Sequence, residues 1–221
     1  MSGKHASPAS SNPAPADLWL CFAVREEAAF VQPGACPVLV TGMGAVNASH
    51  HLQSRFHKAT PRLLLTCGFA GALNPALPVG TVLFHSDPSF PPHPQLLASG
   101  AQPALFHATD QVVVTAREKR RLRETTGADA VEMESHVLRT LCHQRGIPSA
   151  TVRVVSDAAD EDMPVDFNRL MTPRMTLSFT RLALALAARP GRVRGLLQLQ
   201  RNTRLAARNL AHVLHLVIAN L

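Results

Sequence analysis

Three apolar runs in this 221-residue chain each release carboxylates where they stop. Leu18 to Val24 gives way to Arg25-Glu26-Glu27, Ala128 to Val131 leads to Glu132-Met133-Glu134, and Ala150 to Val155 leads to Ser156-Asp157. In an open α/β sheet the carboxyl ends of strands border the crevice where ligands bind. An acid in that place can steady a cation or hand over a proton, and partial burial shifts a carboxyl toward proton donation. Taken singly, each of the three reads as a solvated acid favoured by a helix dipole. The repetition in chain order is the informative feature.

Positioning these acids needs parallel strands. Residues 1–17, rich in Ser, Pro and Ala, have nothing to bury and are expected to be a disordered tail ahead of one domain over residues 18–221. Apolar runs at 18–24, 38–40, 62–67, 80–85 and 111–115 predict strands, with helices over 47–58 and 116–125. Strand and helix patterns alternating at this spacing predict a three-layer α/β/α fold with a mixed, largely parallel sheet. Gly42 and Gly44 follow the second run, and Gly68 and Gly71 the third, where a bare backbone lets a ligand approach closely. The Pro-rich segment 88–103 reads as a lid or edge loop. Basic helices from about residue 176 break at Pro190-Gly191. After the break Leu196, Ala206, Leu210, Val213, Leu214, Val217 and Leu221 share a broad face, either packed on the domain or an interface, or touching a membrane surface.

Composition excludes several classes. A net charge of +7 permits anionic partners, yet there is no Tyr and few aromatics accompany the arginines, so no nucleic acid partner is expected. Cys21, Cys36, Cys67 and Cys142 form no Cys-x-x-Cys pair, which argues against a thiolate metal site and a disulfide framework. They read as buried thiols in a reducing, cytoplasmic setting.

The stretches Ala23-Val24-Arg25-Glu26-Glu27, Thr41-Gly42-Met43-Gly44, Gly68-Phe69-Ala70-Gly71-Ala72-Leu73, Val131-Glu132-Met133-Glu134-Ser135 and Arg153 to Asp160 resemble the purine nucleoside phosphorylase and nucleosidase superfamily. The methylthioadenosine/adenosylhomocysteine nucleosidases are one branch of it. Thr109-Asp110, Glu118-Lys119 and Thr126-Gly127-Ala128 look closer to its hopanoid-associated phosphorylases. The resemblance implies cleavage of the N-glycosidic bond of an adenosine-type nucleoside, including a 5′-lipid-linked one such as adenosylhopane. It gives Asp157 the role of proton donor to purine N7, with Ser156 orienting it. Glu134 would hold the ribose hydroxyls, with Met133 against the ribose and Phe167 against the base. Glu27 would activate water. Glu132, Gly68, Phe69 and Ala70 would complete the substrate site, and Thr41, Gly42 and Gly44 would offer backbone donors to an anion.

No metal or organic cofactor is expected. Inorganic phosphate remains the alternative nucleophile to water, and a non-catalytic nucleoside-binding protein the alternative to an enzyme. The resemblance also implies a homo-oligomer, and the basic C-terminal helices suggest peripheral contact with the inner membrane.

Overall fold

The computed structural model describes residues 15–32, 34 and 36–221. Most of the expected tail, residues 1–14, lies outside the described residues, and Pro15–Asp17 form a 3-10 turn. The chain then runs β1 (Leu18–Phe22), β2 (Val38–Val40), α1 (Ala45–Phe56), β3 (Leu63–Ala72), β4 (Val82–His85), α2 (His93–Ala98), β5 (Gln102–Pro103) and β6 (Phe106–Ala108). It continues with α3 (Ala116–Thr126), β7 (Ala130–Glu132), α4 (Ser135–His143), β8 (Ser149–Asp157), α5 (Phe167–Leu170), α6 (Phe179–Ala188) and α7 (Arg192–Ala219).

The strands form one sheet in the order β2-β1-β3-β8-β4-β5, and β7 and β6 are added beyond the far end of β3. β2, β1, β3 and β8 are parallel, whereas β4 is antiparallel to β8 and β7 antiparallel to β3. The sheet is therefore mixed and largely parallel. Alternation along each strand sends Leu20, Phe22, Leu65, Cys67, Val152 and Val154 to one face, which Leu210, Val213, Leu214 and Val217 of α7 cover. Cys21 and Leu64 point to the other face, against Ala48 and Leu52 of α1 and Leu138, Leu141 and Cys142 of α4. Burial on both faces is why these strands read as continuous apolar runs. Each such leucine contributes about 1.5–3 kcal/mol. All four cysteines are buried, and none forms a disulfide.

The second half of α7 is thus core. By contrast, α6 buries no residue at all, and Phe179 and Leu184 on it are 77% and 72% exposed.

Two expectations need correction. Residues 111–115 form no strand. Their backbone is engaged by the amide of Asn168, which accepts from Val112 N (2.9 Å) and donates to Val112 O (2.8 Å), and by Met163 N, which donates to Val114 O (2.8 Å). A side chain has taken the place of a neighbouring strand. Segment 88–103 lies at the sheet edge, as one of its two readings had it, but is neither a lid nor irregular throughout. It contains α2 and β5, buries Phe90 and Leu96 in the α7 side of the core, and lines none of the cavity described below.

Candidate active site

Just past β1, the chain turns so that the Glu27 carboxylate folds back on the strand end. Its Oε2 accepts from Ala23 N (2.8 Å) and Val24 N (3.2 Å), and its Oε1 accepts from Phe69 N on β3 (2.9 Å). Burial raises the Glu27 pKa to about 7, against the lowering effect of the Arg153 charge and the backbone donors. Gly68 is required beside it, because a Cβ there would collide with the Arg153 guanidinium and the Glu27 carboxylate.

Arg153, on β8 opposite Gly68, is the buried hub of this end of the site. Its Nη2 lies 2.6 Å from Glu132 Oε2 and 3.6 Å from Glu134 Oε2, and Nη1 donates to Cys67 O at 3.0 Å. Glu132 also accepts from Glu134 N (2.9 Å), Ser135 N (2.7 Å) and the Ser135 hydroxyl (2.7 Å). Burial alone would raise its pKa, but Arg153 and these donors outweigh that and lower it. Glu134 goes the other way: burial raises its pKa despite Arg153 and a 2.8 Å bond from Gly44 N. Three carboxylates therefore surround one guanidinium, and this end of the site has an excess of negative charge when they are ionised.

The opposite end is built by β8 and α3. Asp157 Oδ1 accepts from the Ser156 hydroxyl at 2.7 Å, and Asp157 Oδ2 lies 2.6 Å from Lys119 Nζ. Gly71 faces this carboxylate across the sheet, and a Cβ there would stand 3.0 Å from Oδ2. Asp157 is thus paired with a buried cation and is not isolated among apolar groups. α3 is anchored by a capping box, in which Thr115 Oγ1 accepts from Glu118 N and Glu118 Oε2 accepts from Thr115 N.

Between the two ends lies a mostly apolar cavity of about 270 Å³, walled by Met43, Phe69, Met133, Phe167, Met171 and, from α7, Leu199. Glu27, Ala70, Glu132, Glu134, Ser156 and Asp157 also line it. Of the expected substrate residues, only Gly68 stands behind the wall. The anion cradle fares differently, since its donors are already engaged. Thr41 N donates to Phe22 O, Gly42 N to Ala23 O, and Gly44 N to the Glu134 carboxylate. Thr41 Oγ1 donates to Phe22 O as well.

A family model described as the phosphorylase superfamily matches residues 29–87 and 101–188. The chain belongs to that superfamily. A 5′-methylthioadenosine/S-adenosylhomocysteine nucleosidase of Mycobacterium bovis is 37% identical over 76 residues, 33% of this chain but only 30% of the relative. The corresponding nucleosidase of Shewanella halifaxensis is 27% identical over 168 residues, covering 59% of this chain and 73% of the relative. Futalosine hydrolase of Helicobacter pylori superposes with a TM-score of 0.68 at 16% identity, over 92% of this chain and 97% of its own. The methylthioadenosine/adenosylhomocysteine nucleosidase of Neisseria meningitidis gives 0.68 at 16% identity, over 92% and 99%. At these identities the structures establish the fold.

Two buried groups of this phosphorylase-superfamily chain were not among the site residues read from the sequence. Arg153 carried a signal, because an arginine inside the run Val152 to Val155 is buried on both faces and demands an acid partner. Lys119 stood in a stretch that resembles the hopanoid-associated branch, but nothing in its surroundings signalled burial. It sits among Arg117, Arg120, Arg121 and Arg123, and looks like one more charge on a solvated helix face.

Proposed function

We propose that this chain cleaves the N-glycosidic bond of an adenosine-type nucleoside, with water as the nucleophile. The observation that carries the reading is the charge layout of the cavity. Carboxylates in excess of Arg153 stand at one end, and a carboxylate with hydroxyl and ammonium partners stands at the other. Glycosidic cleavage builds positive charge on the sugar and negative charge on the departing base. Glu134 and Glu27 suit the former, and Asp157 suits protonation of the latter. A carboxyl poised near 7, as Glu27 is, suits a general base at neutral pH. The relatives named above as nucleosidases and hydrolases support the same reaction class.

Water is preferred over phosphate because the donors of Thr41, Gly42 and Gly44 are occupied, one of them by a carboxylate that would repel an anion. The deciding assay measures adenine release with and without phosphate, and free ribose against ribose 1-phosphate. Strict phosphate dependence would overturn the choice of water.

The resemblance to the hopanoid-associated branch extends the proposal to a 5′-lipid-linked adenosine, such as adenosylhopane, taken up at an anionic membrane surface. Residues 167–221 carry nine arginines and no carboxylate side chain, which leaves the remaining chain at net −2. Exposed Phe179 and Leu184 supply apolar groups beside those charges, and α7 also walls the cavity through Leu199 and Thr203. No helix among the described residues is long and apolar enough to cross a membrane. A peripheral contact, each arginine adding about 1 kcal/mol near an anionic leaflet, is the arrangement this surface supports.

A further inference from the structure

Lys119 is the basic residue of α3 that does not face solvent. Its Nζ has three acceptors: Asp157 Oδ2 at 2.6 Å, Ala158 O at 2.6 Å and Glu161 O at 3.1 Å. An ammonium has three N–H donors, so each is engaged. Two go to neutral carbonyls of the loop that leaves β8, and one goes to a carboxylate that lines the cavity. Lys119 itself does not line the cavity. It can act on a ligand only through Asp157.

A tether for the loop would need only the two carbonyl bonds, and an arginine or an amide would serve. A lysine placed in line with Asp157 brings a further property, because an ammonium can give up a proton and still keep two N–H bonds. We propose that Lys119 is the proton reservoir of the site, a positioning residue that recharges Asp157 as the leaving base is protonated. This rests on the nucleosidase reading. As the C1′–N9 electron pair passes to the base, the Lys119 ammonium gives a proton to the Asp157 carboxylate at Oδ2, and Asp157 passes a proton on to the base at N7 and is again a carboxylate. The neutral amine keeps its bonds to Ala158 O and Glu161 O. The water that attacks C1′ gives its proton to Glu27, and Lys119 and Glu27 return to their starting states by exchange with solvent. Water is the one co-substrate, and no oxidant is required.

The test compares wild type, Lys119→Met and Lys119→Arg. The substrates are an adenosine analogue and a nitrophenyl riboside, whose leaving group departs without protonation. The relay predicts that both variants lose on the order of 10²–10⁴ in turnover on the adenosine analogue. It also predicts that both stay near wild type on the nitrophenyl riboside. Arginine is the discriminating change, since it retains the charge but holds its proton too tightly to pass it on. Recovery of purine cleavage by Lys119→Arg would reduce Lys119 to an electrostatic tether and overturn the relay. An equal loss on both substrates, or no loss on either, would overturn it too. A second arm needs neither turnover nor full stability. Calorimetry at low temperature compares adenine with 7-deazaadenine, which has no N7 to protonate. Wild type should favour adenine at least severalfold, and both variants should lose that preference. A wild type that cleaves nucleosides but shows no such preference overturns the relay alone. A wild type that binds neither base and cleaves neither substrate removes the nucleosidase reading and the relay with it.

Discussion

A carboxyl that burial lifts to about 7 ties activity and stability to the same proton. If Glu27 is the base, kcat/KM should rise with pH through a midpoint near 7, and Glu27→Gln should remove that limb. The stability effect has the opposite sense. The fold holds Glu27 protonated where the unfolded chain has already released its proton, so its contribution is complete below about 4.5 and lost as pH rises toward 7. Chemical denaturation at pH 5 and pH 8 should show a smaller difference for Glu27→Gln than for wild type. At the far end, Asp157→Asn keeps the shape and removes the acid. Cleavage of the adenosine analogue should fall by about 10²–10⁴, with nitrophenyl riboside cleavage largely preserved. Equal losses would make Asp157 structural. Gly68→Ala should inactivate without touching any substrate, because its methyl must displace Glu27 or Arg153, at a stability cost of about 1–3 kcal/mol. Glu27, Glu134 and Asp157 were legible because each follows an apolar run. Lys119 was not, since burial of one cation in a cationic helix depends on a carboxylate 38 positions away in the sequence.

At the scale of elements, apolar runs gave good boundaries in β1 and β8, which are covered on both faces, but in β3 the run at 62–67 marked only the start of a strand that continues through Gly68 to Ala72. They misled at residues 111–115. Three consecutive valines have strong β character, but a strand also needs a partner backbone, and here the partner is the Asn168 amide. That substitution has a measurable consequence. The segment Gln111 to Val113 walls the cavity, and it is held in part by one side chain projecting from α5. Asn168→Ala should therefore cost about 1–3 kcal/mol by loss of two hydrogen bonds. It should also raise KM for the nucleoside more than it lowers kcat, as read from initial rates at saturating and limiting substrate. The short antiparallel pairing of β7 with the end of β3 was likewise invisible in the sequence, because it is only two residue pairs long.

For the whole molecule, the partition of charge is the feature that composition concealed. A net charge of +7 is the sum of a strongly cationic final quarter and a slightly anionic remainder. Anionic liposomes should bind the protein, with affinity falling as salt rises, and Arg194→Glu plus Arg201→Glu should weaken binding while turnover of soluble adenosine analogues stays near wild type. Arg208 is a poorer choice for that experiment, because its guanidinium lies 5.2 Å over the Phe30 ring. Absence of binding at low salt, with light scattering showing a dimer, would assign the α6 surface to a second copy of the chain. The buried thiols offer a different handle on the same molecule. Burial raises the pKa of Cys142 to about 12 and keeps Cys67 well above its usual range, so neither presents a reactive thiolate at neutral pH. Alkylation in native buffer must then wait for the surrounding structure to open, and each cysteine becomes a clock for its own layer. Cys142 would time the separation of α4 from the sheet, and Cys67 the rupture of the central strand.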